Sequence, residues 1–198
     1  MLFLLLLAST DASLVVQSFD RLAPSDMAFS ADSKFLVTGN SGGHLVIWEP
    51  RRGRIAGSFN VKGAIDHVAI DGSGRRAVAS LRGTERDAAF VVVDLTANMR
   101  LAELEHGRDG TAVAISRDGK RVFLASKRAQ GSMPSQITCY DLADKKAVWT
   151  QQFPGHVSDI ELNPAGTRLY AVGSNGKPGA SFSCSKGRSL ALPVHLLR

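Results

Sequence analysis

The sequence predicts an all-β chain of four-stranded antiparallel blades, a β-propeller or a propeller fragment. Three observations carry that prediction. The 198 residues include 19 glycines, and β-branched residues come in short bursts, the composition of many short strands joined by tight turns. One strand–turn–strand unit recurs four times. The spacing of the recurrence is that of propeller blades, which repeat every ~40–50 residues.

The repeated unit is "MAFSADSKFLVTGN" (27–40), "VAIDGSGRRAVAS" (68–80), "VAISRDGKRVFLAS" (113–126) and "IELNPAGTRLYAVG" (160–173). Each copy has a short apolar strand, a polar turn, one or two basic residues and a second apolar strand. The turns are Asp32-Ser33, Ser73-Gly74, Asp118-Gly119 and Ala165-Gly166; Asp or Ser with Gly suits a two-strand hairpin, because such residues reach positive φ or bond locally. Those second turn residues lie 41, 45 and 47 apart.

A third strand follows in three units, ending at Trp48-Glu49, Val93-Asp94 and Tyr140-Asp141, again 45 and 47 apart. The run Ala89–Val93 is apolar without alternation, as expected of a central strand buried on both faces. Fourth strands are expected at 54–59, 100–104 and 147–153. The last unit fades after Gly173, with candidate strands at 180–184 and 189–197.

The N-terminal "MLFLLLLASTDA" can be read two ways. Its apolar run is short and lacks the positive segment that opens a secretory signal. Leu5–Phe19 aligns without a gap on Leu45–Phe59 at an offset of 40, which makes it the third and fourth strands of a half blade. A degenerate signal is the competing reading. The expected units are therefore 1–25 (half blade or degenerate signal), 26–60, 61–105, 106–153 and 154–198, the last with a degenerate C-terminal part. If no strand exchange closes the ring, one blade wall stays open, and self-association through that edge is expected.

The net charge of +6 does not imply a nucleic-acid partner, because the basic residues are scattered over expected loops without interleaved aromatic residues. No stretch approaches the ~20 apolar residues of a membrane span. Cys139 and Cys184 form no disulfide framework and are expected as buried free thiols.

The units resemble the WD-repeat family of β-propellers, or its divergent YVTN-type relatives. "MAFSADSKFLVTGNSGGHLVIWEP" carries the strand–turn–strand–strand signature, with Trp48-Glu49 in place of Trp-Asp. "GHVSDIELNPAGTRLYAVGS" carries the Gly-His pair at Gly155-His156. The resemblance spans about Ser13 to Ser174. No single unit completes the family's His–Ser/Thr–Asp–Trp network: the first has Trp48 and Thr38 but Gly42 at the Asp position. The resemblance implies a non-catalytic protein-interaction scaffold and a ring of about seven blades.

No catalytic, cofactor-binding or metal-binding residues are expected. None of the five histidines has metal-ligand spacing. His67, just before an inner strand, is placed to face a central channel. Asp94 and Asp141 read as turn caps, and "GNSGGH" (39–44) as a hairpin turn, since no helix or Lys-Ser/Thr completes a phosphate loop. Two extended loops between second and third strands fall at one point of the blade. Their Arg82, Arg86, Lys127 and Arg128 form a basic rim, the candidate surface for a protein or peptide partner. The alternatives are an exported bacterial-type propeller with a sensing or lactonase-like role, and a non-functional fragment of a larger propeller. Localisation is open, with the cytoplasm favoured over export.

Overall fold

Four antiparallel meanders, each of four strands, build the described part of the chain, which in this computed structural model is residues 22–82, 88–105, 110–127, 135–174 and 179–190. The first sheet holds β1 (Pro24–Phe29), β2 (Leu36–Asn40), β3 (His44–Glu49) and β4 (Arg54–Asn60). The second holds β5 (Ala64–Ile70), β6 (Arg76–Arg82), β7 (Ala88–Asp94) and β8 (Met99–Glu105). The third holds β9 (Gly110–Ile115), β10 (Arg121–Ser126), β11 (Ser135–Asp141) and β12 (Lys146–Phe153). The fourth holds β13 (His156–Leu162), β14 (Arg168–Ser174), β15 (Ala180–Ser183) and β16 (Ser189–Leu190). This is the blade architecture of a β-propeller. The N-terminal half-blade reading, and the strand anticipated beyond Leu190, lie outside the described residues.

The hairpin turns work as their composition requires. Ser33, Gly74, Gly119 and Gly166 all have positive φ, between 55° and 72°. The polar residue three positions earlier accepts the turn's backbone N–H in each case: Ser30, Asp71, Ser116 and Asn163. Their side chains close the loop further; Asn163 Oδ1, for example, accepts the N–H groups of Thr167 and Arg168. Asp94 and Asp141 cap the turns after the third strands, each accepting two backbone N–H groups.

Two irregularities repeat with the blades. The first–second strand register shifts at Ser25, Asp66, Thr111 and Ser158, one place in each inner strand. The third–fourth register shifts beside Trp48, Val93 and Tyr140, the landmarks that end the third strands. Such bulges add local twist and re-aim the neighbouring side chain.

Blade packing follows from the two-residue alternation of strands. Val37 and Leu45 of the first sheet pack on Ile65, Val68, Ile70 and Ala79 of the second. Val78, Phe90 and Val92 of the second pack on Val113, Ile115, Val122 and Leu124 of the third. Phe123, Ile137, Trp149 and Phe153 of the third pack on Ile160, Leu169 and Phe182 of the fourth. Leu36, Val46 and Trp48 form a separate cluster on the first sheet's opposite face. Among the described residues no apolar cluster joins the fourth sheet to the first.

Cys139 and Cys184 are buried and free, as expected, and share the cluster between the third and fourth sheets. Burial pushes the Cys139 thiol up to about 12 and the Cys184 thiol up to about 11. The role of Trp149 was not visible in the sequence. It lies in a fourth strand, stacks 6.2 Å from Phe182 and donates its indole N–H to the Cys184 carbonyl at 3.0 Å. Gly187 is its neighbour at φ 62°, where a Cβ would come within 2.6 Å of the indole.

Candidate interaction face

The strand order places two kinds of connection at opposite ends of the sheets. The tight first–second turns lie at one end. The ends of the second strands and the starts of the third lie at the other, together with the starts of the inner strands β1, β5, β9 and β13. These four strands line a central cavity of about 400 Å³. A second cavity, of about 500 Å³, opens at the turn end between the third and fourth sheets.

At the loop end the bulges bring polar side chains to the cavity mouth. Asp26 lies between the first two inner strands. Its Oδ1 accepts the Met27 N–H and its Oδ2 the Val68 N–H, both at 2.8 Å. The preceding residue works the same way: the single Ser25 hydroxyl proton is shared between the carbonyls of Ile65 (2.5 Å) and Gly39 (3.0 Å). Ser25 and Asp26 thus grip the next inner strand through its backbone.

His67 lines the cavity, as its place before an inner strand anticipates. Its Nδ1 lies 3.7 Å from Asp26 Oδ2. Asp26 raises the imidazole pKa against the opposing effect of burial, with Asp66 and Asp159 adding to the rise. Burial acts to raise the Asp26 pKa, but His67 and the Val68 and Met27 amides outweigh it, and the net shift is downward. His156, of the Gly155-His156 pair, has its pKa lowered by desolvation and by the Lys127 charge, and its buried Nδ1 has no partner among the described residues.

The expected basic rim divides. Arg82 ends β6 and Lys127 directly follows β10, both at this loop end. Arg82, however, is committed to Asp66, with contacts of 2.5 and 2.8 Å. Its charge is therefore balanced in place, a pairing invisible in sequence because the two residues are 16 positions apart. Lys127 is exposed. Arg86 and Arg128 lie outside the described residues.

Trp48 and Thr38 realise half of the WD-type network. The indole N–H donates to Thr38 Oγ1 at 3.1 Å, and both residues are buried. At the Asp position, Gly42 instead donates its N–H to Asn40 Oδ1. Among the described residues no group of three or more His, Cys, Asp or Glu side chains is arranged to hold a metal. No described helix is long and apolar enough to cross a membrane.

The fold and the inner-strand mouth define a repeat β-propeller. More particularly, the family model described as "WD domain, G-beta repeat" matches residues 20–49, so this chain carries a WD repeat within its propeller. Among solved structures, the chain resembles hydrazine synthase of Kuenenia stuttgartiensis with a TM-score of 0.72 and 20% identity, over 89% of this chain and 50% of that one. It also resembles the Cps50 (Swd1) β-propeller domain of Myceliophteria thermophila with a TM-score of 0.63 and 13% identity, over 81% and 52%. At such identities the likeness is one of fold. The chain spans about half the length of either structure. No curated protein matches it significantly.

Proposed function

We propose that this chain is a non-catalytic interaction propeller that holds a protein or peptide partner at its loop end. The observation that carries the reading is that β6 and β10 finish at the same end of their sheets, with the exposed Lys127 directly after β10. Loops on such a scaffold are the usual seat of binding. The polar groups at the cavity mouth support a structural rather than a chemical role. Asp26 is occupied by two backbone amides and Asp66 by Arg82. Neither is placed as a free acid or base.

The test is charge reversal with Arg82 left intact, so that its ion pair with Asp66 survives. A chain carrying Arg86→Glu, Lys127→Glu and Arg128→Glu should capture a cross-linked partner from a native extract at least tenfold less well than the parent, with an unchanged melting temperature. Capture at the parental level overturns the rim assignment.

A further inference from the structure

The inner strands of the first and fourth sheets carry the same dipeptide at the same bulge. Ser25-Asp26 and Ser158-Asp159 both sit where the register shifts. Both aspartates cap the next residue of their own strand, Asp26 the Met27 N–H and Asp159 the Ile160 N–H, each at 2.8 Å. In the first sheet the remaining groups grip β5: Ser25 reaches the Ile65 carbonyl and Asp26 Oδ2 the Val68 N–H. In the fourth sheet the Ser158 hydroxyl and Asp159 Oδ2 have no such strand in front of them among the described residues, and both side chains are exposed. The other two sheets do not repeat the device. Asp66 is held by Arg82, and Ala112 stands where the aspartate would be.

The charge at this edge is only partly offset: His67 lines the same cavity and acts on Asp159 from a distance, but it is paired with Asp26. Between the first and second sheets, Asp26 faces His67. At the fourth sheet, Asp159 stands beside Glu161, whose pKa is raised by burial and by Asp159 itself. An incoming strand with a cation at the His67 place would relieve both carboxylates. The strand β1 of a second copy would instead bring Asp26 to that place, a third negative charge, which disfavours a copy of this chain as the occupant.

The edge also sets a size rule. Gly39 lies where any Cβ would come within 2.5 Å of Ile65 and 2.8 Å of Val68. The matching position in the fourth sheet is Val172, which is 53% exposed. A strand gripped there must carry a small residue where β5 has Ile65.

We propose that the Ser158–Asp159 edge of the fourth sheet docks an extended strand of a protein partner, with a small residue, then two positions later a basic residue, then apolar residues at the next and third-next places. The proposal rests on the reading of the chain as an interaction propeller and adds a second binding surface to it. Main-chain groups supply the grip and the side-chain pattern supplies selectivity.

The probe is a fluorescent peptide that copies residues 62–71 with Gly in place of Ile65 (KGAGDHVAID), titrated into the full chain. Saturable binding is expected. Asp159→Asn and Ser158→Ala should each weaken it about tenfold, the loss of one hydrogen bond to a charged or main-chain group. A peptide with Glu at the His67 place should bind at least tenfold more weakly. The unmodified peptide, with Ile, should bind poorly to the parent and well to Val172→Gly, a gain that misfolding cannot mimic. Absence of binding, or binding indifferent to Asp159→Asn and to the Val172→Gly exchange, overturns the proposal. So does a concentration-dependent dimer of the parent chain that Phe29→Ser dissolves, since the occupant is then a second copy. The rim triple reversal should leave peptide affinity unchanged. Loss of the edge effect with the rim effect intact sinks only this inference, and loss of the rim effect alone sinks only the other.

Discussion

The indole N–H of Trp149 donates to the main-chain carbonyl of Cys184, fastening the outermost strand of the third sheet to the far end of the fourth. Trp149→Phe keeps most of the apolar surface and leaves that carbonyl without its donor. The expected cost is about 1–3 kcal/mol, read as a lower urea midpoint with an unchanged slope. Trp149→Ala should cost about 3–5 kcal/mol, because a cavity opens as well.

Gly39 is required for the approach of the first two sheets. Gly39→Ala places a methyl group against Ile65 and Val68. Overpacking of this kind costs about 1–3 kcal/mol. Thermal melts should show the loss, and Ile65→Ala, which removes the opposing Cγ2, should cost less in the Gly39→Ala chain than in the parent.

The Asp26–His67 pair makes stability depend on pH at both ends of a window. The His67 pKa lies above its usual 6.5, so its contribution is complete below that value and is lost as pH rises through the elevated folded-state value. The Asp26 pKa lies below its usual 3.8, so its contribution is present above that value and is lost as pH falls through the depressed one. The melting temperature of the parent chain should therefore fall, relative to that of His67→Asn, between about pH 6 and about pH 8. The half-exposed pair is screened by water, so the effect is small, about 1 kcal/mol or less. Parallel pH profiles for the two chains would refute the pairing.

The two thiols should be inert while the fold stands. Burial keeps both protonated far above neutral pH, and only the thiolate reacts with disulfide reagents. Native protein at about pH 8 should release colour from an aromatic disulfide only at the rate of unfolding, and both equivalents at once in denaturant. A fast native phase would show that one of them is accessible.

The blade plan was legible because it is local. Residues such as Ser33, Gly74, Gly119 and Gly166 announce their turns by chemistry that acts within four positions. Asp94 and Asp141 were legible as caps for the same reason. The Trp48–Thr38 bond could be anticipated because the two strands are neighbours in sequence.

What joins one blade to the next was not legible. Nor was the pairing of Arg82 with Asp66 inside the second sheet, which depends on which face of a bulged strand each side chain takes. Asp26 reaches Val68 across 42 positions, and Trp149 reaches Cys184 across 35. Such contacts follow from the angle between sheets, which no window of sequence encodes. The repeated bulge was the hidden signal: Ser-Asp at 25–26 and again at 158–159 differs from ordinary turn chemistry only once the register is known.

The packing of each sheet on its sequence neighbours has a consequence for how the chain comes apart. Among the described residues the second and third sheets are clasped on both faces, whereas the fourth packs through one of its faces and its last two strands have four and two residues. Such an array behaves as a row of coupled units, with stability summed over units and junctions. Amide protons should therefore exchange in steps, those of β15 and β14 first and those of β6 and β10 last, so that loosening travels along the row like a zip opened from one end.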